Sequence, residues 1–188
     1  MANSLEHIAQ LAIKQDLSGQ DIFELTGKQP IIYSHLKNFN TINDLLGKEG
    51  FCVILYQTSS RSTGHWCSIM VNKKLNEIIY FDSYGLHFDT EQQKGAKYDM
   101  PLPKYLTNLI VSDGRNYKWN QFDYQMWSPD VSTCGRWASI AVKFLKYITL
   151  SQFNQLFTTN GSSLLNRPDI AVSLLTFLTL RDVPKYFQ

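Results

Sequence analysis

The chain has 188 residues, the length of one domain with a substantial core, and charged residues make up only 18% of it against 13% aromatic. A net charge of +2 without a long basic block gives no sign of a nucleic-acid-binding surface, and the three widely spaced cysteines, Cys52, Cys67 and Cys134, argue against a disulfide scaffold and for a reducing compartment. With no basic-then-apolar leader pattern and no apolar run approaching membrane-spanning length, the expectation is a soluble intracellular chain with no membrane partner.

Leu5, Ile8, Ala9, Ala12 and Ile13 recur at helical spacing and predict a first amphipathic helix capped by Asn3 or Ser4. Asp21 to Leu25 predicts a second, short helix, and both read as lid or scaffold. Pro30–Tyr33 suggests a short strand, and Thr41–Leu46, closed by Gly47, one or two helical turns. The dense apolar run Phe51–Tyr56 reads as a central strand. After the polar segment Gln57–Gly64, Trp66–Val71 and Glu77–Phe81 flank the turn residues Asn72–Asn76 and predict a hairpin. Gly85–Met100 is polar and reads as a surface excursion, Pro101–Val111 as a helix, and Asn116–Gln125 as an aromatic-rich strand. Short helices follow over Phe153–Phe157 and, entered through Pro168, over Asp169–Leu180. Helices at both ends and a largely antiparallel sheet between them give an α+β class in one domain, residues 1–188.

The chemistry concentrates just before the third-last helix. Ser132 and Thr133, good N-cap residues, precede an apolar helical pattern of Trp137, Ile140, Ala141, Phe144 and Leu145, which places Cys134 in the first turn. There the unsatisfied N–H groups and the helix dipole favour thiolate over thiol. Gly135 is expected to remove a side chain that would crowd a substrate carbonyl. A lone cysteine in such a place is ordinarily a small core residue. The hairpin supplies the contrary signal. A turn centred between Lys73 and Lys74 sets His65 opposite Asp82 on one face, so that Asp82 accepts the His65 Nδ1–H and leaves Nε2 to take a proton from a thiol. Trp66, beside His65, serves the core and is expected to exclude water from the pair. Cys67 shares the face of His65, but zinc-type ligand spacing is absent, so no metal is expected. His7, His35 and His87 read as surface.

The ordered set Gly64-His65-Trp66, Tyr80-Phe81-Asp82-Ser83-Tyr84-Gly85 and Ser132-Thr133-Cys134-Gly135 resembles the adenovirus-protease-like cysteine peptidases. Relatives of that group occur in large DNA viruses, virophages and polinton-type elements, and the wider superfamily includes proteases that process SUMO and ubiquitin-like proteins. The resemblance covers the catalytic core, about residues 50–146. It implies that fold, a thioester acyl-enzyme, Cys134 as nucleophile, His65 as general base and then acid, and Asp82 as its orienter. It further implies an oxyanion site formed by the Cys134 backbone N–H and a side-chain donor on the preceding strand. The family's glutamine stands six or seven residues before the cysteine, where this chain has Ser128 and Trp127, with Gln125 two residues further back. Trp127 fits by position and Gln125 by chemistry, and the pleat of a strand would put both on one face. Capsid or other virion precursors are the substrates implied, in the host cytoplasm, a virus factory or the virion, with no cofactor. Adenovirus-type relatives use an activating peptide and DNA, for which this sequence carries no signal. The alternatives are a protease for ubiquitin-like modifiers, an acetyltransferase using the same residues, and an inactive peptide-binding fold-mate.

Overall fold

A computed structural model of the chain describes residues 5–57, 64–90, 103–158, 168–177 and 179. Its centre is a five-stranded sheet in the spatial order β1 (Ile31–Ile32), β2 (Phe51–Gln57), β3 (Gly64–Asn72), β4 (Glu77–Asp82) and β5 (Tyr117–Trp119). The class is α+β, but the sheet is mixed rather than largely antiparallel. β2–β3 and β3–β4 pair antiparallel, whereas β1–β2 and β4–β5 pair parallel. The strand patterns mark strands without fixing direction. Parallel pairing comes from crossovers: a 3-10 turn (Tyr33–Asn38) and helix α3 (Ile42–Leu46) lead from β1 to β2, and α4 (Tyr105–Asp113) lies between β4 and β5.

β2 and β4 read as unbroken apolar runs because both faces of the sheet are covered. On one face Val53, Leu55, Met70, Ile79 and Phe81 pack against Trp137, Ala138 and Ala141 of α5 (Cys134–Phe144) and against Phe153 and Phe157 of α6 (Leu150–Thr158). On the other, Ile54, Tyr56, Ile69, Ile78 and Tyr80 meet Leu36, Leu45, Leu106 and Ile110. Helix α1 (Leu5–Ile13) packs on α7 (Pro168–Phe177) through Ala9, Ile13 and Ile170. Helix α2 (Gly19–Thr26) opens with a capping box of Ser18 and Asp21 and sends Ile22 into the first core. The expected caps at Asn3 and Ser4, Pro101, and most of the segment Gln57–Gly64 lie outside the described residues. No helix among the described residues is long and apolar enough to cross a membrane.

The hairpin has a different register from the expected one. Asn72 and Glu77 close a four-residue loop, and Cys67, not His65, stands opposite Asp82. Asn72 explains the shift. Its Oδ1 accepts the backbone N–H groups of Lys74 and Leu75, each at 3.0 Å, and Asn76 takes a left-handed φ of 50°. The Asn72 Nδ2 donates to the carbonyls of Leu145 at 2.9 Å and Ile148 at 2.8 Å. The partner of Asp82 moves by two residues, so the face of every side chain is kept.

Two further expectations change. The strand Asn116–Gln125 shrinks to Tyr117–Trp119, because Asn120 turns its side chain back onto Asp82 instead of extending the ladder. The excursion after Gly85 begins buried: Asp89 accepts the Tyr33 hydroxyl at 2.5 Å and the Thr107 N–H at 2.8 Å, and Phe88 packs in the second core.

Gly64 pairs with Gln57 at the open end of β3, and a Cβ there would lie 1.8 Å from the Tyr56 carbonyl oxygen. Close strand approach is what demands glycine there. Gly64→Ala is therefore expected to cost at least about 2 kcal/mol. A urea midpoint equal to that of the wild type would show that the strands separate without penalty.

Candidate active site

Cys134 is the first residue of α5, and Thr133 occupies the cap position, as the sequence predicts. The capping itself does not follow. Thr133 makes no side-chain cap bond, and its hydroxyl donates to Asp169 at the start of α7. The first turn therefore keeps its N–H groups free of a side-chain cap beside the half-buried thiol. Gly135 has another role than the expected one. A Cβ on it would meet Trp66 Cδ1 at 3.0 Å, Leu17 Cβ at 3.1 Å and Ile22 Cδ1 at 3.2 Å, so its missing side chain makes room for the core, not for a carbonyl.

Trp66 follows the same logic. Neighbouring residues of a strand point to opposite faces. Trp66 therefore lies with the first core under α5, its indole N–H donating to the Leu17 carbonyl at 3.0 Å. The ring that covers His65 belongs instead to Tyr84, stacked at 5.2 Å, and Trp127 stacks on Tyr84 in turn at 3.8 Å.

His65 and Asp82 come together by a different atom from the expected one. Asp82 is fully buried at the end of β4, and its Oδ2 lies 2.9 Å from His65 Nε2. The register makes His65 the diagonal neighbour of Asp82, farther off than an opposed pair, and the outer nitrogen of the ring is the one that spans the gap. Asp82 thus leaves Nδ1 unengaged, and Cys134 lies close enough to the ring to favour its charge. The other Asp82 oxygen accepts the Tyr84 N–H at 2.8 Å. Asn120 clamps the backbone of Asp82 by accepting its N–H at 2.8 Å and donating to its carbonyl at 2.5 Å. Burial alone favours a neutral imidazole. The Asp82 charge and hydrogen bond, with a further contribution from Cys134, outweigh it and hold the His65 pKa well above its usual 6.5.

The two oxyanion candidates do not share a face, because residues 120–133 form no strand. Gln125 is buried. Its Oε1 accepts the Ser83 hydroxyl at 2.8 Å, and its Nε2 donates to the Val131 carbonyl at 2.9 Å. Trp127 is 60% exposed, and its indole N–H donates to Asp123 at 3.3 Å. Cys67 keeps the face of His65 but lies within the second core, its thiol directed at the Ile54 carbonyl at 3.7 Å. Among the described residues, no group of three or more His, Cys, Asp or Glu is placed to hold a metal ion.

Sequence reasoning misses Asn120 and Asp169, which act on Asp82 and Thr133 from distant positions. The Tyr84 signal was present in the Asp-Ser-Tyr-Gly run, though its contact with His65 was not.

Two measurements check this geometry. Cys52 and Cys67 are buried, and burial pushes the Cys52 thiol up to about 12. Iodoacetamide near neutral pH should therefore label Cys134 first by at least about tenfold, and equal rates would mean an inert thiol. Stability contributed by charged His65 is complete below about pH 6.5 and is lost as pH rises through its raised value. In Asp82→Asn the His65 titration followed by NMR should move down; an unmoved midpoint would remove Asp82 as the cause.

No family model matches the chain. It is 28% identical over 169 residues to the uncharacterized protein V9 of Sputnik virophage, covering 87% of this chain and 95% of that protein. A shorter similarity, 32% over 89 residues, links 43% of the chain to 29% of human arylamine N-acetyltransferase 1. Among solved structures, the central domain of the uncharacterized Lpg1148 protein of Legionella pneumophila matches with a TM-score of 0.38 and 13% identity, over 88% of this chain and 99% of that one. The sequence similarity to the virophage protein spans most of both chains.

Proposed function

We propose that the chain is a cysteine endopeptidase of the adenovirus-protease-like type that matures virion precursor proteins inside the infected cell. The observation that carries this reading is His65, set between the buried Asp82 carboxylate and the Cys134 thiol at a helix N-terminus. Asp82 holds the ring and stabilises its positive charge. The Cys134 thiolate attacks the scissile carbonyl, and the oxyanion is met by the Cys134 backbone N–H and a side-chain donor.

Of the two donors, Gln125 is the better placed. It is tied to Ser83, next to Asp82, and to Val131, three residues before Cys134, and its amide carries a second N–H beyond the one given to Val131. The Trp127 indole is turned to Asp123 and with Tyr84 forms an aromatic wall over His65. His65 gives its proton to the leaving amine, so the peptide C–N bond breaks and a thioester remains on Cys134. Water, deprotonated by His65, then hydrolyses the thioester and restores the thiolate–imidazolium pair. Similarity to a virophage protein supports virion precursors as substrates over ubiquitin-like modifiers.

A second reading draws on the partial similarity to arylamine N-acetyltransferase 1. The same thioester, loaded with an acetyl group, would then be discharged to an amine instead of water.

Co-expression with candidate capsid precursors, followed by mass spectrometry of the products, tests the first reading. Cys134→Ala and His65→Ala should each lower cleavage by at least about ten-thousandfold. Cleavage that persists in Cys134→Ala would sink the triad. Processing of SUMO or ubiquitin fusions alone would redirect the substrate, and acetyl-CoA-dependent labelling of amines without peptide cleavage would establish the second reading.

A further inference from the structure

Asp169 is a buried carboxylate with three donors gathered from two other parts of the chain. Its Oδ1 accepts the hydroxyl of Thr133, the residue before Cys134, and the indole N–H of Trp137, one helical turn later, at 3.0 Å. Its Oδ2 accepts the backbone N–H of Met126, at 2.9 Å, from the residue between the two oxyanion candidates. Only 7% of Asp169 is exposed, and it stands in the first turn of α7, where the helix dipole favours its charge. Short charge-assisted bonds of this kind hold geometry more tightly than neutral ones.

We infer that Asp169 is a positioning residue that fixes the start of the nucleophile helix relative to the segment Gln125–Trp127, and so sets the spacing between the Cys134 sulfur and the oxyanion donors. The inference deepens the proposed acyl-transfer chemistry and rests on that reading for its catalytic meaning. Cys134 and its backbone N–H move with Thr133 and Trp137, which one Asp169 oxygen holds. Gln125 and Trp127 move with Met126, which the other holds. One rigid carboxylate thus connects the two halves of the oxyanion site. A mere packing role would leave this division of labour between the oxygens without effect on chemistry.

Two reactions of Cys134 separate the roles. Alkylation by iodoacetamide is a direct displacement that needs the thiolate but forms no oxyanion. Acylation by p-nitrophenyl acetate passes through a tetrahedral oxyanion before the C–O bond breaks, leaving an acetyl thioester on Cys134 and releasing p-nitrophenol. Both are followed by mass spectrometry on the whole chain and require no peptidase activity. Asp169→Asn keeps one acceptor oxygen and turns an NH2 toward the other partner. It should slow acylation by about a hundredfold while alkylation stays within about threefold of the wild type.

Thr133→Val, nearly isosteric and a safeguard should Asp169→Asn not fold, should slow acylation by about tenfold, and Thr133→Ser should restore it. Acylation unchanged in folded Asp169→Asn or Thr133→Val, equal loss of both reactions, or wild-type acylation no faster than that of a free thiol would each overturn the inference. Selective loss of acylation in a protein that cleaves no peptide would support it and count against the peptidase reading alone.

Discussion

The contact between His65 and Asp82 is bought at the cost of removing a carboxylate entirely from water, and much of the surrounding structure offsets that cost. An unpaired charge at such depth would be several kcal/mol unfavourable. Here the two oxygens are taken by His65 and the Tyr84 N–H, while Asn120 satisfies the flanking N–H and carbonyl of the same residue. The price of this arrangement is visible in the backbone. β5 ends at Trp119 so that Asn120 can turn inward, and Gly85 takes a φ of 70° to let the chain leave the site. With Asp82 anchored, the imidazole is held through its Nε2.

The same pair shows why the candidate site was readable from the sequence although the hairpin register was not. Period-2 alternation assigns residues to faces, and a shift of two residues leaves the assignment untouched. His65 and Asp82 were therefore grouped correctly by a turn placed wrongly. What the alternation cannot supply is the nitrogen used, because a diagonal and an opposed pair present different ring atoms. The local turn residues marked a hairpin without fixing its closing pair. Asn72 sets it by reaching Leu145 and Ile148, partners more than seventy positions away.

Helical segments were legible where apolar residues recurred at helical spacing, as at Leu5–Ile13 and Cys134–Phe144. The stretch from Asn120 to Thr133 was not. It has neither period, and its side chains answer to tertiary partners: Gln125 to Ser83 and Val131, Thr133 to Asp169. Thr133 illustrates the general difficulty, since a good capping residue was recognised and then recruited by a carboxylate brought in by α7. Gly135 and Trp66 were expected to flank the reacting groups, but their meeting point lies beneath the helix, where Leu17 and Ile22 close the core.

Asn72 has a mechanical consequence. By holding the carbonyls of Leu145 and Ile148, with Lys73 donating to the Lys146 carbonyl at 3.0 Å, the hairpin tip grips the far end of α5, while Asp169 grips its beginning. A helix of 11 residues is about 16 Å long, so the two grips act on opposite ends of a stiff rod. Sliding the rod by a single residue would carry the thiol about 1.5 Å along the axis, several times the tolerance of a productive site. The β3–β4 turn, far from the sulfur and without chemistry of its own, thereby serves as the end-stop that sets the axial position of Cys134.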